Sequence, residues 1–483
     1  MSAGRWTILF GVAVALYAGA LRNGFVWDDL LTAAPARPLG EVVTERKGEW
    51  YRPLVMLSFA GDRAIWGGWP GGFHATNVLL HVGVAGLLGV LCAAMGLGAG
   101  AGTAAALVFL AHPVQTEAVT YVSGRTDVLA ALFALIAFLA WRRARHAVDA
   151  WAVASALAFV AALLCKEAAV LLPLALFLPG AHPKSSPPRP LLPLAASAFW
   201  AVGFASTGQH ALRLADLGAR LPALAGAALT YARVLVWPSD LHLERFIAVG
   251  GWTVGTAVTA WVALGLLALG LAACARRAPA GWLFLGIALL AYAPASGVVP
   301  VYPAIADRAL FTAEHFLYLP LLGLAPLVVG AAAETLPPRA AGALLGTVLL
   351  AWGAVVIDRN RDWHDEETLF RHTVRYDPPS ARVWFNLGNL ALRDGRLDEA
   401  ERLYRAALAR EPRDGAAHLN LAITLDRRNA YTAEAEEHYR RAIESTPPLR
   451  EAYRGLAAHA AARGDMAEAR RLLALADGTP PRP

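Results

Sequence analysis

The chain has 483 residues, of which 57% are hydrophobic and only 17% charged, with 15 tryptophans and 3 cysteines. A soluble protein carries about 25% charged residues, so this composition excludes an ordinary soluble enzyme. The formal net charge of +6 does not call for nucleic acid, because much of the basic surplus lies in short loops between apolar windows, where it marks the cytoplasmic side of a membrane.

About twelve apolar windows of spanning or near-spanning length follow one another from Trp6 to Ile357: 6–22, 74–95, 99–111, 127–141, 149–165, 167–179, 191–206, 222–237, 252–274, 281–299, 316–333 and 340–357. Directly after the first stands Asn23-Gly24-Phe25-Val26-Trp27-Asp28-Asp29. Adjacent acids at a bilayer edge must be hydrated, paired or bound to something. Read alone, the stretch is also compatible with an ordinary loop, or with a cleaved signal peptide ending near Ala18-Gly19-Ala20. The many later junctions that hold ionisable residues favour a functional reading. Next, Trp50, Tyr51, Trp66 and Trp69 flank an amphipathic run from Leu54 to Ile65, which predicts a helix lying at headgroup level. Cys92, Cys165 and Cys274 lie in or beside apolar windows and read as small packing residues.

Loop charge gives an orientation. Arg142, Arg143, Arg145 and His146 follow the fourth window, and Lys184 and Arg189 follow the sixth. Arg276 and Arg277 follow the ninth, and Arg339 precedes the twelfth. Twelve crossings would put these two sets on opposite sides. The conflict vanishes if one window between Leu191 and Trp237 does not cross, and 222–237, with Arg233 and a Trp237-Pro238 end, is the candidate. Eleven crossings remain, with the C-terminus outside. Asp28, Asp29, Arg52, His74, His112, Glu117, Arg125, Asp127, Lys166, Glu167, Glu314 and His315 then all fall at the outer ends of segments. Ionisable residues so placed are functional candidates. His81, on the helix that starts near His74, reads as an interhelical hydrogen-bonder, and Arg125 and Asp127 are candidates to pair with each other.

From Asp358 onward the chain becomes charged, alanine-rich and helical. Trp384, Leu387, Gly388, Ala391, Ala400, Tyr404, Ala407 and Pro412 have the spacing of a 34-residue tetratricopeptide repeat starting at Ala381. A second copy is marked by His418, Leu421, Ala422, Leu425, Ala435, Tyr439, Ala442 and Pro447, with one residue inserted between its helices. A third is marked by Tyr453, Leu456, Ala457, Ala460, Ala469 and Ala476. Trp363 to Pro378 predicts a lone preceding helix. The domains are therefore a membrane unit over 1–357, a connecting helix over 358–380, repeats over 381–477 and a tail over 478–483. The fold class is all-α: a polytopic membrane helix bundle followed by an α-solenoid whose concave face suits an extended peptide.

Several strings carry a family resemblance. They are the 23–29 stretch, Tyr51-Arg52-Pro53-Leu54, the run from Phe73 to His81, the run from His112 to Val119, Gly124-Arg125-Thr126-Asp127, Lys166-Glu167, and Glu314-His315-Phe316-Leu317-Tyr318-Leu319-Pro320. In this order the chain resembles the transmembrane and tetratricopeptide-repeat (TMTC) O-mannosyltransferases, polytopic glycosyltransferases of the GT-C class. That family usually has Glu-Arg before Phe-Leu-Tyr-Leu-Pro; here His315 replaces the arginine, and a free histidine is fully charged only below a pKa of about 6.5.

The resemblance implies inverting transfer of a sugar, mannose on the family's pattern, from a polyprenyl phosphate to a protein Ser/Thr hydroxyl outside the membrane. It places Asp28 as catalytic base, with Asp29 beside it as an orienting acid. Arg52, His74, His112, Glu117, Arg125, Asp127, Lys166, Glu167, Glu314, His315 and Tyr318 are the implied donor-phosphate and substrate residues. No signature requires a metal, though paired acids could hold a divalent cation weakly. Implied partners are the lipid-linked donor, membrane lipids and a protein acceptor held by the repeats. The short interhelical loops and the composition rich in Ala, Arg, Gly and Pro suggest a bacterial inner membrane with the site and repeats in the periplasm; the endoplasmic reticulum is the alternative setting. The rival readings are a membrane-anchored repeat scaffold without catalysis, and a transporter of lipid-linked sugars. A transporter would be expected to show repeated halves and polar residues near the midplane, whereas here the ionisable residues gather at one face.

Overall fold

A computed structural model describes residues 2–36, 38, 40–41, 51–183, 190–195, 197–198, 214–298, 309–445 and 449–478. Trp50, Lys184, Arg189, Pro447, the residues after Gly478 and most of window 191–206 lie outside them. The chain forms two compact units, Met1–Asp365 and Glu366–Pro483. The boundary falls later than position 357 because the last apolar helix continues to Asp362.

In the first unit, α1 (Ala3–Tyr17) passes through a 3-10 turn (Ala18–Arg22) into the acidic loop, which ends in the one-turn α2 (Asp29–Thr32). The expected amphipathic run is α3 (Pro53–Trp66), started by a proline at its first turn, where no donor is lost. Then come α4 (Pro70–Ala94), α5 (Gly98–Ala111), the short α6 (Gln115–Thr120), α7 (Arg125–Trp141) and α8 (Ala150–Leu163). Window 167–179 is a 3-10 helix, Glu167–Phe177, and not an α-helix; Pro173 inside it lacks the backbone donor an α-helix would use. The unit continues with α9 (Leu214–Val236), β1 (Arg245–Ala248), α10 (Val254–Arg277) and α11 (Gly281–Tyr292). It closes with β2 (Ala309–Thr312), α12 (Tyr318–Thr335) and α13 (Pro338–Asp362). The two strands pair antiparallel with Phe246 opposite Phe311.

Among the described residues, six helices are long and apolar enough to cross a membrane, and four shorter ones are apolar. This is an integral membrane protein. Its core is built from α4, α5, α7, α11 and α12, with Phe73, Phe109, Phe138, Phe284 and Tyr318 fully enclosed. By contrast α10 exposes Val254, Val258, Val262, Leu266 and Leu269, the surface expected of a helix that faces lipid.

Antiparallel succession gives the bundle two chemically different ends. At one, the Arg142 guanidinium donates to the carbonyls of Ala94 and Gly180, and His182 bonds the Ala144 carbonyl. Gly180 lies against Ala280, and Gly330 against Ala278 and Leu97. Arg276 and Arg277 therefore share this basic end with Arg142 and Arg143, as the loop-charge argument requires. Helix α9 keeps both halves at the opposite end: Arg220 bonds Gly297 and Val298, while the Leu235 carbonyl accepts from His112. A 23-residue helix is roughly 34 Å long, so one that crossed the bundle would leave one terminus at the basic end. This is the arrangement expected if window 222–237 does not cross.

The second unit begins with α14 (Glu366–Val374), followed by three helix pairs: α15 (Ala381–Arg393) with α16 (Leu397–Arg410), α17 (Gly415–Arg428) with α18 (Ala433–Ile443), and α19 (Arg450–Ala462) with α20 (Met466–Ala476). The inserted residue appears in the second pair, whose connection, 429–432, is longer than 394–396 or 463–465. Its left-handed position is Tyr431, where the other two turns use Gly395 and Gly464. A Cβ on Gly388 would come within 2.8 Å of the Tyr404 ring, so the glycine admits the tyrosine between the paired helices. Tyr404 is enclosed and its hydroxyl donates to Asn389 Oδ1 at 2.8 Å.

Tyr404→Ala is expected to destabilise the repeat unit by about 3–5 kcal/mol, as for loss of a large enclosed aromatic, whereas Tyr404→Phe forfeits only the hydrogen bond, about 1 kcal/mol. Hydrogen exchange over residues 381–428 of the full chain measures both. Equal protection in wild type and Tyr404→Ala would contradict the packing argument.

Candidate active site

The end opposite the basic loops collects every residue that the sequence nominated. The acidic loop is pinned on several sides. The Asn23 side-chain amide donates to the Asn360 carbonyl at 2.9 Å, and the Gly24 N–H donates to the His364 carbonyl at 2.9 Å. Asn360 itself donates to the Leu16 carbonyl, tying the end of α13 to the end of α1. His74 Nε2 lies 3.4 Å from the Gly24 carbonyl. Trp27 then adopts the left-handed region, φ 56°, a costly conformation for a bulky residue and one that concentrates at functional sites.

The two adjacent acids meet opposite environments. Asp28 is exposed. Asp29 is fully buried: its Oδ2 accepts from the Val26 N–H at 3.2 Å, and its Oδ1 accepts from the Ser123 N–H at 2.7 Å and the Ser123 hydroxyl at 2.6 Å. The buried acid thus staples its own loop to the turn before α7, leaving its neighbour's carboxylate at the surface. Arg63 of α3 adds a second brace, donating to the carbonyls of Ala33 and Ala34. Burial is the largest influence on the Asp29 carboxyl and pushes it up to about 7, against the pull of its Ser123 and Val26 donors.

The cations are paired. Arg125 does not pair with Asp127: it reaches Asp62 of α3 at 2.5 Å, and donates to Asn77 Oδ1 at 2.6 Å and the Phe73 carbonyl at 3.0 Å. The reason is direction: α7 turns the two side chains toward different neighbours, and Asp127 accepts Lys166 Nζ on both oxygens at 2.7 Å. Asn77 also donates toward the carbonyls of Val119, Tyr121 and Val122, which makes it a hub for the turn that Asp29 grips. Gly124 is required there, because a Cβ would stand 2.6 Å from the Ala118 carbonyl oxygen. Arg125, Asp62 and Asn77 together form a sealed framework that ties α3, α4 and α7 together.

Two pairs are more open. Arg52 holds Glu167 in a fork, with Nη2 at 2.8 and 3.1 Å and Nε at 3.3 Å, and both side chains remain about a quarter exposed (25% and 24%). His315 donates its backbone N–H to Glu117 Oε2 at 3.0 Å, and its Nδ1 lies 2.8 Å from Oε1. The His315 ring is 25% exposed while Glu117 is buried. Burial works most strongly on Glu117 and would raise its carboxyl, but His315 and Arg359 together hold it below the usual range. Lys166, only 7% exposed at its side chain, lies over the Phe316 ring at 5.6 Å.

The remaining nominated residues face inward. Glu314 is buried 3.4 Å from Arg359, which also holds Asp362 at 2.9 Å. Tyr318 donates to or accepts from His81 Nδ1 at 2.7 Å, while His81 Nε2 meets the Leu110 carbonyl at 3.1 Å; His81 is the expected interhelical hydrogen-bonder. His112 is spent on the Leu235 carbonyl, with the Trp352 ring tilted at 52° to it and 4.2 Å away between centroids. Sequence reasoning missed Asp62, Asn77, Ser123, Arg359 and Asn360. Asp62 and Asn77 carried a usable signal, since each is a polar residue on an apolar helix face and needs a partner. Among the described residues no group of three or more His, Cys, Asp or Glu is arranged to hold a metal ion.

The tetratricopeptide repeat family matches residues 358–407 and 385–449. The chain is also homologous to proteins named protein O-mannosyl-transferase. It is 25% identical to TMTC3 of Homo sapiens over 92% of this chain and 55% of that protein, and 28% identical to TMTC1 of Homo sapiens over 90% and 58%. It spans a little more than half the length of these relatives. Among solved structures, ArnT from Cupriavidus metallidurans, determined with undecaprenyl phosphate bound, aligns at a TM-score of 0.44 and 14% identity, covering 88% of this chain and 79% of that one. The family resemblance carried by the short strings thus extends along nearly the whole chain.

The Asp29 staple predicts a pH signature. A carboxyl raised to about 7 in the folded chain binds protons that the unfolded chain, titrating near 3.8, has released. Stability therefore falls as pH rises from about 4 to about 7 and is flat above. Thermal melts of wild type and Asp29→Asn across that range should show this slope in wild type and its loss in the variant; identical slopes would contradict the assignment.

Proposed function

We propose that this chain is an inverting glycosyltransferase that moves a sugar, mannose on the pattern of its relatives' names, from a polyprenyl-phosphate donor to a Ser or Thr hydroxyl of a protein. The observation that carries the reading is the unequal acid pair: Asp29 is consumed by backbone, so Asp28 is presented as an exposed carboxylate on a braced loop. Asp28 takes the acceptor hydroxyl's proton as that oxygen attacks the anomeric carbon. The bond from the anomeric carbon to the phosphate oxygen breaks on the opposite face, through an oxocarbenium-like transition state, and the electron pair leaves with the phosphate. Departing negative charge needs preorganised donors. His315 and Arg52, each held by an acid yet partly open, are the groups assigned to it, with Lys166 contributing its charge from behind Phe316. Asp29, Arg125, Asp127, Glu117, Glu167 and Glu314 position these groups, His74 and His112 hold the backbone around them, and Tyr318 holds the His81 ring.

Positive charge in short loops marks the cytoplasmic side, so the basic end faces the cytoplasm and the site end faces outward. In a bacterium this is the periplasmic face of the inner membrane. The repeats are assigned to holding the protein acceptor. A transporter reading is disfavoured, because the ionisable residues gather at one end instead of near the midplane.

Asp28→Asn is expected to lower transfer by at least about two orders of magnitude, the contribution of a positioned acid–base group, with Asp29→Asn less damaging. The assay is sugar transfer from synthetic polyprenyl-phosphate mannose to protein and short-peptide acceptors by reconstituted chain. Near-normal turnover of folded Asp28→Asn would remove it from the base role. Truncation after Asp377 should spare transfer to the short peptide while impairing the protein acceptor; equal loss of both would remove the recruiting role of the repeats.

A further inference from the structure

The basic end carries a second built feature, remote from the acid–base cluster. Between α7 and α8 the chain folds around Asp149, whose Oδ2 accepts the backbone N–H groups of Arg145 at 2.6 Å and His146 at 3.0 Å, while Oδ1 caps α8 through Trp151 and Ala152 at 3.0 and 2.8 Å. One carboxylate thus fixes the whole connection, and its charge is spent on four backbone donors. Beside it lies an open recess of about 680 Å³ lined by Arg143, Arg145, His146, Asp149, Ala150 and Trp151. The Arg143 guanidinium sits over the Trp151 ring at 4.8 Å, an arrangement that holds the cation at the rim. Arg142 is not available to a ligand, being committed to Ala94 and Gly180.

We propose that this recess binds the headgroup phosphate of one anionic glycerophospholipid. The occupant is a lipid because the recess opens at the start of α8, a helix of the membrane unit whose outward face carries Val153 and Leu157, exposed at 39% and 64%, while Trp151, 43% exposed, stands at its first turn. A phosphate seated between Arg143 and Arg145 leaves its acyl chains to run beside α8 in the bilayer, with Trp151 at the headgroup level where tryptophan is favoured. Arginine supplies the forked donors that match phosphate oxygens. The site lies at the end read as cytoplasmic, where anionic lipids attract basic juxtamembrane segments. Bound there, the lipid fastens the α7–α8 connection to the bilayer.

Native mass spectrometry of the full-length, detergent-purified chain, supplied with equal phosphatidylglycerol and phosphatidylcholine, tests this. Wild type should retain phosphatidylglycerol in preference to phosphatidylcholine. Arg143→Gln with Arg145→Gln should lower phosphatidylglycerol retention about tenfold or more, leaving phosphatidylcholine adducts, which report intact membrane helices, unchanged. A charge-matched control, Arg276→Gln with Arg277→Gln, should retain the anionic lipid. Should the double variant not fold, the single exposed-residue variant Arg145→Gln takes its place, with a partial loss expected. Equal retention in wild type and variant, or equal loss in the control, overturns a defined site. Displacement of the lipid by millimolar glycerol phosphate, which lacks acyl chains, overturns the lipid in favour of a soluble anion.

Discussion

A charge taken out of water inside a membrane protein must find a partner, and breaking such a partnership costs about 3–5 kcal/mol. The site end of this chain is organised by that constraint. Arg125 meets Asp62, Lys166 meets Asp127, Arg52 meets Glu167, His315 meets Glu117, and Arg359 meets both Glu314 and Asp362. Every pair joins elements distant in sequence, except Arg359 with Asp362. The pairs therefore do for the helix ends what a hydrophobic core does elsewhere. They draw α3, α6, α7, the 3-10 helix, residues 314–315 and α13 to one place, around the acidic loop. Asp28 stands apart from this scheme, exposed beside a buried neighbour, and that contrast is what gives the end a chemical direction.

The two adjacent acids are separated by environment alone, and the proposed function gives the chemistry to the exposed one. Asp29 is surrounded by donors and closed to solvent; Asp28, one residue earlier, follows the left-handed Trp27 and faces out. Their side chains are identical, so the division rests on the backbone turn and on Ser123, which Asn77 and Gly124 in turn hold in place. A reacting group positioned through several fixed links of this kind loses little freedom on meeting substrate, which is how preorganisation lowers a barrier.

Much of this was legible in the sequence, and the unread remainder has a common cause. Apolar windows revealed the helices because burial or lipid contact needs a continuous run. The repeats were legible because Gly388, Tyr404 and Ala407 must recur at fixed spacing for paired helices to meet. Loop charge singled out window 222–237, and α9 has the contacts expected of a segment that does not cross. Partners were not legible: nothing local shows that Arg125 chooses Asp62 over Asp127, since that choice depends on which helix lies opposite. The 3-10 form of 167–177 was hidden too, because hydropathy is blind to helix pitch. Arg359 and Asn360 were passed over since the last window appeared to stop at Ile357, while polar side chains at the true end of α13 complete the framework around Glu314 and Asn23.

The central claim is that donor chemistry occurs at the end where Asp28 is displayed. Its most direct test is crosslinking with a polyprenyl-phosphate sugar carrying a photoreactive group on the first isoprene, followed by peptide mapping of the full chain. The account predicts crosslinks within 23–36, 112–127, 166–177 or 314–318, abolished by excess unlabelled donor. Competed crosslinks confined to the basic end, around residues 142–151, would contradict it.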